Sequence, residues 1–448
     1  MERNTVALTV QENLCCGCGI CKAVCPTGCI TWGRKNGLYT PLINEERCVG
    51  CGRCASVCPG LGHSYTPRGS AVDTVTGTVL ECHNAWAKDS GLRYISASGG
   101  VVSVLVQKLL ESGAYDGAFC LDTYDYRQQL KTVLFTAKDM EGGRYQENAP
   151  KSRYLPVSHE NAITYIREHR EARLILIGSS CALRGLLAAM EALRLKRGQY
   201  LLIGLFCDTV FNYNVLRYFE DRFADGKPLV ALHFKNKESG GWPGDMKLFP
   251  QNGASFYVPL PERTKAKAYF MPERCLYCVD KLNVCADISL GDNYTQKDAS
   301  VEGSNSVILR TEAGLHAWSM AREALEVRAV DVVDIQAAQA VEWRLNHLHY
   351  GDLRMTGSTI DLNRGIPREK TDSFLRAWKA CQKRLRSGAV YDTDPDRVKK
   401  QMQQDSKKVG PISRLMNRVI GHITRKIHGK QIRSCLKNIN CTKTDKIV

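Results

Sequence analysis

Eight cysteines within the first 58 residues are set out as two copies of one motif. The first copy is Cys15-x-x-Cys18-x-x-Cys21-x-x-x-Cys25-Pro26. The second is Cys48-x-x-Cys51-x-x-Cys54-x-x-x-Cys58-Pro59, each cysteine 33 positions after its counterpart. Three thiolates at this close spacing fold around one face of a four-iron, four-sulfur cube, and the fourth, four residues on, points to the neighbouring cube. The pattern therefore predicts crossed ligand sets. Cys15, Cys18, Cys21 and Cys58 hold one 4Fe–4S cluster, and Cys48, Cys51, Cys54 and Cys25 hold the other. A zinc knuckle needs only four ligands per site and no Cys-Pro ending. Cys16 and Cys29 fall out of register and are read as non-ligands. A chain with two such sites moves electrons.

Four further cysteines could do chemistry. Cys275-x-x-Cys278 has metal-ligand spacing in the stretch PERCLYC. Cys181 and Cys207 each follow an apolar run that reads as a strand. Open α/β sheets bind ligands at the carboxyl ends of their strands, so these two could share one site there. Buried core thiols are the plainer reading of the same pair. Ser96-Ala97-Ser98-Gly99-Gly100 stands directly before a helix. Free N–H groups and a positive dipole end suit a phosphate there, and a serine cap with a glycine turn explains the same residues.

These residues must be positioned by regular elements. Residues 5–10 and 29–32 read as short strands, with a helical turn after each cysteine triplet. Residues 66–78 (TPRGSAVDTVTGT) are polar, hold Pro67, Gly69 and Gly77, and read as a linker. Beyond it the periods alternate in the α/β manner. Helices are expected over 101–112, 161–169, 183–193, 215–223 and 313–325. Strands are expected over 117–121, 174–177, 200–206, 287–290 and 306–309. From residue 344 onward the chain is polar, helical and increasingly basic.

With 448 residues and 44% hydrophobic content, the chain can hold two or three domains. The start, MERNTVALTV, lacks a basic segment followed by an apolar core, so no export signal is expected. No run of about 18 apolar residues is present, so no membrane span is expected. The chain holds twenty cysteines, and those at cluster spacing, without an export signal, fit a reducing cytoplasm. The net charge of +16 is concentrated at one end: residues 364–448 hold 22 Lys+Arg against 7 Asp+Glu, a net of +15. Within that stretch Ile412, Leu415, Met416, Val419, Ile420, Ile423 and Ile427 make a helical apolar stripe, with Arg414, Arg418, His422, Arg425 and Lys426 largely off it. Such a helix packs on the body, lies on anionic lipid at the inner face of the membrane, or meets an acidic ferredoxin or partner subunit. Nucleic acid is not expected, because no binding motif or aromatic interleaving accompanies the charge.

Residues 80–325 resemble the coenzyme F420 hydrogenase/dehydrogenase beta-subunit family. The matching stretches are SASGGVVSVLVQKLLESGAYDGA, PKSRYLPV, LILIGSSCALRGL, LFCDTVFNYNVL, KNKESGGWPGDM, CLYCVDKLNVCADISLGDNY and SNSVILRT, in the family's order. A two-cluster ferredoxin in front is a usual arrangement there. The resemblance implies an FAD held by Ser98, Gly99 and Gly100 and by Lys151, Ser152 and Tyr154. It also implies a third 4Fe–4S cluster on Cys181, Cys207, Cys275 and Cys278. Asp287 and the Gly291-Asp292 pair fall in the family's strand-and-turn motif, and Lys235, Lys237 and Trp242 in its loop pattern. Ser180 stands where a proline is usual, Arg153 where a lysine is usual, and Cys285 where cysteine is unusual, so Cys285 could compete as a ligand.

The fold class expected is α+β. A ferredoxin-like two-cluster module (1–65) and a linker (66–78) precede a mixed α/β flavin-binding oxidoreductase domain (79–343). A helical basic C-terminal extension (344–448) follows. The function implied is an iron–sulfur flavoprotein oxidoreductase, with coenzyme F420 as default substrate and a ferredoxin or a hydrogenase/dehydrogenase subunit as redox partner. Reduction of a tetrapyrrole or a biosynthetic intermediate is the first alternative. A non-catalytic electron-transfer subunit of a larger complex is the second. No residue is assigned a catalytic role.

Overall fold

The computed structural model describes residues 4–61, 75–122, 128–148, 150–238, 240–346 and 372–408. Residues 4–61 gather around the first eight cysteines. β1 (Ile30–Lys35) and β2 (Leu38–Ile43) pair antiparallel, Ile30 opposite Ile43 and Lys35 opposite Leu38. Their turn is Asn36-Gly37, with φ of 53° and 71°. Asn-Gly tolerates that left-handed pair, whose twist matches the strands. Each cysteine triplet passes into one helical turn, Ile20–Ala23 and Arg53–Ser56.

Residues 5–10 differ from the expected strand and contain the helix Ala7–Gln11. Val6 and Thr9 are buried while Leu8 is exposed. That three-residue spacing is helical, and it brings the Thr9 hydroxyl to 3.4 Å from Cys58 Sγ.

The remaining strands are β3 (Glu81–Ala87), β4 (Gly117–Cys120), β5 (Leu130–Lys131), β6 (Val133–Phe135), β7 (Val157–Ser158), β8 (Leu174–Ser179), β9 (Tyr200–Leu205), β10 (Leu229–Asn236), β11 (Asp245–Pro250), β12 (Phe256–Val258), β13 (Ile288–Asp292), β14 (Asn305–Leu309) and β15 (Leu325–Ala329). Eight of them form one sheet in the order β15-β3-β14-β13-β9-β8-β4-β6. The central β13, β9, β8 and β4 are parallel, and antiparallel strands close both sides. Unbroken apolar runs suit this position, because helices cover both faces. Leu174, Leu176, Tyr200 and Leu202 point to one layer, Ile175, Leu201 and Ile203 to the other.

The helices Val101–Glu111 and Glu312–Ala321 pack in the second of these layers. Glu160–Glu168 and Ser180–Ala192 form the first, and the cysteine module docks on it. Ile20, Ala23, Val24 and Val57 share a core with Leu183, Leu186 and Leu187. Gly185 permits the close approach: a Cβ there would stand 2.6 Å from Ile20 Cδ1. The His159 amide donates to the Cys18 carbonyl at 2.8 Å, which fixes the first cysteine loop to the body.

A second sheet, β10-β11-β12, has no counterpart among the sequence expectations. Phe211, Phe219, Phe234 and Phe270 fill the core beside it. The described residues of the extension include two helices, Asp372–Ala389 and Pro395–Lys408. Trp378 and Leu385 of the first join Leu14 and Tyr277 in one apolar cluster, so this helix spans the junction of module and body. The apolar stripe read at residues 412–427 and most of the linker read at 66–78 lie outside the described residues.

Candidate functional site

The carboxyl ends of β8, β9 and β13 open into a cavity of about 320 Å³. Ile177–Ala182, Leu205–Val210 and Leu290–Asp292 line it from the sheet. This is the edge at which open α/β sheets take their ligands.

Cys181, Cys207, Cys275 and Cys278 all line the cavity. Cys181 is in the first turn of the helix Ser180–Ala192, and Ser179 Oγ lies 3.3 Å from its sulfur. Cys207 follows β9, its amide donating to Lys281 O at 2.9 Å. Cys275 sits in the short turn Glu273–Tyr277 and Cys278 directly after it. Burial, then the charges of Cys275, Cys181 and Cys278, pushes the Cys207 thiol well above its ordinary range. Burial also raises Cys275. Four crowded, desolvated thiols suit a cationic iron–sulfur core, which would offset their mutual repulsion. Among the described residues no three His, Cys, Asp or Glu side chains converge as they would on one metal ion. Thiolates on the corners of a four-iron cube stand farther apart than ligands of a single ion.

Cys285, the competing thiol, points elsewhere. It is buried in the apolar core with Leu183 and Leu186 and does not line the cavity. Cys16, read as a bystander, does line it. Its thiol meets those of Cys18 and Cys181, so it stands between the module and the body.

In the module, Cys15, Cys18, Cys21 and Cys58 are neighbours. Burial first, then the Cys58 charge, raises Cys21, and the Cys15 thiol is pushed up to about 12 by burial. Cys25, Cys48, Cys51 and Cys54 line a second, small pocket. Cys29 joins them, its sulfur 3.4 Å from that of Cys25. Cys51 is exposed, beside Val49, which is 68% accessible. The second set therefore faces solvent and the first set faces the body.

The glycine turn lies in the same cavity as the body cysteines. Ser98 and Gly100 line it. Gly100 precedes the helix Val101–Glu111 at φ 82°, a conformation that strains any side-chain-bearing residue. Ser98 Oγ donates to Ser304 O at 2.9 Å. Gly99 faces away. A Cβ on it would stand 2.8 Å from Asn305 Oδ1 and 2.9 Å from Ala85 O, so this glycine serves strand packing.

Lys151, Ser152 and Tyr154 line the cavity as well, and the Ala97 amide donates to Pro150 O at 2.8 Å, which holds this segment beside the turn. Lys151 Nζ donates to Ile95 O at 2.5 Å, and burial lowers its pKa. Lys235 and Asp292 both line the cavity and form an ion pair. Burial opposes the Lys235 charge, and Asp292 outweighs it and raises the pKa. Lys237 donates to Ser98 O at 2.9 Å. Burial, then Arg93 and Lys151, pushes it down to about 7. Trp242 packs against Tyr294, ring centroids 5.4 Å apart and planes tilted by 41°. Asp287 lies at the start of β13, where it takes Arg197 at 2.8 Å, the Leu202 amide at 2.8 Å and the Thr311 hydroxyl at 2.9 Å. It is a structural clamp.

Two residues escaped the sequence reading. Arg274 is buried in the cavity wall. Arg344, read as the first residue of the extension, is buried too, and its guanidinium donates to Cys278 O and Asp208 O, each at 2.9 Å. Arg274 could have been noticed from its place beside the Cys275-x-x-Cys278 pair. Nothing local marks Arg344.

Comparison with known proteins gives the same order of parts. The family model "Coenzyme F420 hydrogenase/dehydrogenase, beta subunit N-term" matches residues 82–161, and its C-terminal counterpart matches 171–334. A "4Fe-4S dicluster domain" matches residues 14–60. The chain is similar to a subunit of the F(420)H(2) dehydrogenase of Methanosarcina mazei, 24% identical over 328 residues, 72% of this chain and 86% of that one. It is also similar to an uncharacterized protein of Methanocaldococcus jannaschii, 23% identical over 335 residues, 68% of this chain and 85% of that one. Among solved structures, a chain of the F420-reducing NiFe hydrogenase complex from Methanosarcina barkeri aligns with a TM-score of 0.46 at 22% identity, covering 62% of this chain and 94% of that one.

Proposed function

Because the chain belongs to the coenzyme F420 hydrogenase/dehydrogenase beta-subunit family and carries a 4Fe–4S dicluster domain ahead of it, we propose that it exchanges electrons between a redox-partner protein and coenzyme F420, through three four-iron clusters and an FAD. It is an iron–sulfur oxidoreductase of the electron-transferring kind. Cys15, Cys18, Cys21 and Cys58 would hold the first cluster, Cys48, Cys51, Cys54 and Cys25 the second. Cys181, Cys207, Cys275 and Cys278 would hold the third. Residues 1–65 then act as the relay, and residues 79–343, with Arg344 added, as the flavin domain.

One observation supports this reading above the rest. A single cavity is lined at once by Cys181, Cys207, Cys275 and Cys278 and by Ser98 and Gly100 with Lys151, Ser152 and Tyr154. A flavin, when bound, converts between one-electron carriers and a two-electron partner. The protein's residues supply the setting. Gly100 keeps the turn free of a Cβ at the helix start, where amides can meet phosphate. Lys151 adds positive charge, and Lys235 is held charged by Asp292. Electrons would enter or leave by the exposed Cys51 end, where Val49 and Leu42 offer apolar contact to a partner.

Holoprotein purified without oxygen and reduced by dithionite is expected to reduce added F420, read as bleaching of the deazaflavin absorbance. Protein that accepts electrons on its clusters and flavin yet leaves F420 unchanged would overturn the substrate assignment and favour a relay subunit.

We also propose that the basic C-terminus contacts anionic lipid. Among the described residues no helix is long and apolar enough to cross a membrane. The support is the net charge of +15 in residues 364–448 and the stripe at 412–427. Each basic residue near such a surface contributes about 1 kcal/mol, which salt screens. Deleting residues 409–448 is expected to abolish low-salt binding to phosphatidylserine vesicles and to leave iron and flavin content intact. Full-length protein that ignores those vesicles would sink the proposal. Loss of cofactors on truncation would show that the stripe is core.

A further inference from the structure

Arg274 is 7% exposed and precedes Cys275 in the chain. Its guanidinium reaches across to the cysteine module, where Nη2 donates to Pro59 O at 3.1 Å. Pro59 directly follows Cys58. One side chain thus ties the loop of the first ligand set to the loop of the third.

Among the described residues the charge of this side chain has no carboxylate partner within ion-pair distance. Nε is buried and makes no hydrogen bond among the described residues. Asp280 is engaged by Arg184, and Asp208 by Lys281 and Arg344. Glu273 accepts from Gln382 and Asn13. An uncompensated buried cation is expensive, several kcal/mol in practice. Arg274 lines the same cavity as Cys16, Cys181, Cys275 and Cys278. On the other side, its contact with Pro59 O places the guanidinium one residue from Cys58. The cation therefore sits in the field of both cysteine sets. The counter-charge it lacks as a carboxylate is the charge that two thiolate-ligated clusters carry.

We infer that Arg274 is an electrostatic bridge between the first cluster and the body cluster, a buried cation that stabilises the reduced state of both. This rests on the three-cluster reading above. Adding an electron to either cluster increases negative charge beside a second anionic cluster in a poorly screened interior. A fixed positive charge between them offsets that repulsion and raises both reduction potentials, with no proton or ligand change. The second cluster, near Cys51 and solvent, lies outside this effect. Arg274 is a positioning and tuning residue that touches no substrate.

The test is a redox titration followed by electron paramagnetic resonance on anaerobic holoprotein. Signals are assigned with the Cys275→Ser/Cys278→Ser variant. Arg274→Met is expected to keep the wild-type iron content and to move the first and third clusters to more negative potentials, with the second unmoved. Arg274→Lys, which keeps the charge, is expected to stay near wild type. Should Arg274→Met lose iron while Arg274→Lys retains iron and potentials, the need for a charge is upheld. Wild-type potentials in Arg274→Met would overturn the bridge. Equal iron loss in both variants would also overturn it, by showing a purely structural role. An unsubstituted protein with iron for only two clusters would remove the three-cluster premise itself, and iron analysis alone distinguishes that result.

Discussion

Anaerobically prepared protein is expected to hold about twelve irons per chain, and the Cys275→Ser/Cys278→Ser variant about eight, four being lost with each 4Fe–4S site removed. The fold should survive the change. Serine matches cysteine in shape, and the loop around these residues is held by contacts that do not involve sulfur. Arg344 binds the Cys278 carbonyl, and Ser180 Oγ donates to Asp280 O at 2.7 Å. Arg184 pairs with the Asp280 carboxylate at 3.0 Å. The signals of the clusters at Cys15–Cys58 should persist, because their ligands belong to a separate module that docks through Ile20, Val24 and Val57. A wild-type value near eight irons would remove the body cluster from the reading. Loss of all iron in the variant would instead mean that the first cluster depends on the loop through the Arg274–Pro59 contact.

The parts of this site that could be read from sequence are those with a local signal. Eight cysteines repeat at fixed spacing, and that spacing is what suggests placing Cys58 with the first triplet and Cys25 with the second. The buried strands β8 and β9 are apolar throughout, so the residues after them, Cys181 and Cys207, could be placed at one sheet edge. Three features had no such signal. Residues 5–10 read as a short strand, and they contain the helix Ala7–Gln11 instead, with Val6 and Thr9 buried and Leu8 exposed. Gly99 and Gly100 look alike in sequence. Only the β3 and β14 neighbours of Gly99 reveal that it packs inward while Gly100 lines the cavity. Arg274 and Arg344 act on partners 215 and 66 residues away, Pro59 and Cys278. Contacts at such separation leave no mark in a local pattern, and only the place of Arg274 beside Cys275-x-x-Cys278 hinted at a role.

That difference between the two glycines decides how the flavin site should be tested. Gly99→Val would drive a side chain into Asn305, Ala85 O and Ser304. Its expected result is lower thermal stability, whatever the cavity binds. Gly100→Val addresses the cavity itself. At φ 82° a β-branched residue costs roughly 1–3 kcal/mol of local strain, and relief of that strain turns the helix-start amides away from the cavity. Losing one charge-assisted hydrogen bond to phosphate costs about 1.5–3 kcal/mol, so flavin affinity should fall by about tenfold to a hundredfold. Iron content should remain near the wild-type value, because the nearest neighbours of a Cβ on Gly100 are Ala87, Ser96 and Arg93. Ser98→Ala is a useful companion. The Ser98 hydroxyl is already committed to Ser304 O, so its loss should change flavin retention far less than the glycine substitution does. If Gly100→Val keeps full flavin occupancy with an unchanged dissociation rate, the phosphate does not rest on this turn. The cationic wall of Lys151 and Lys235 then becomes the place to look for it.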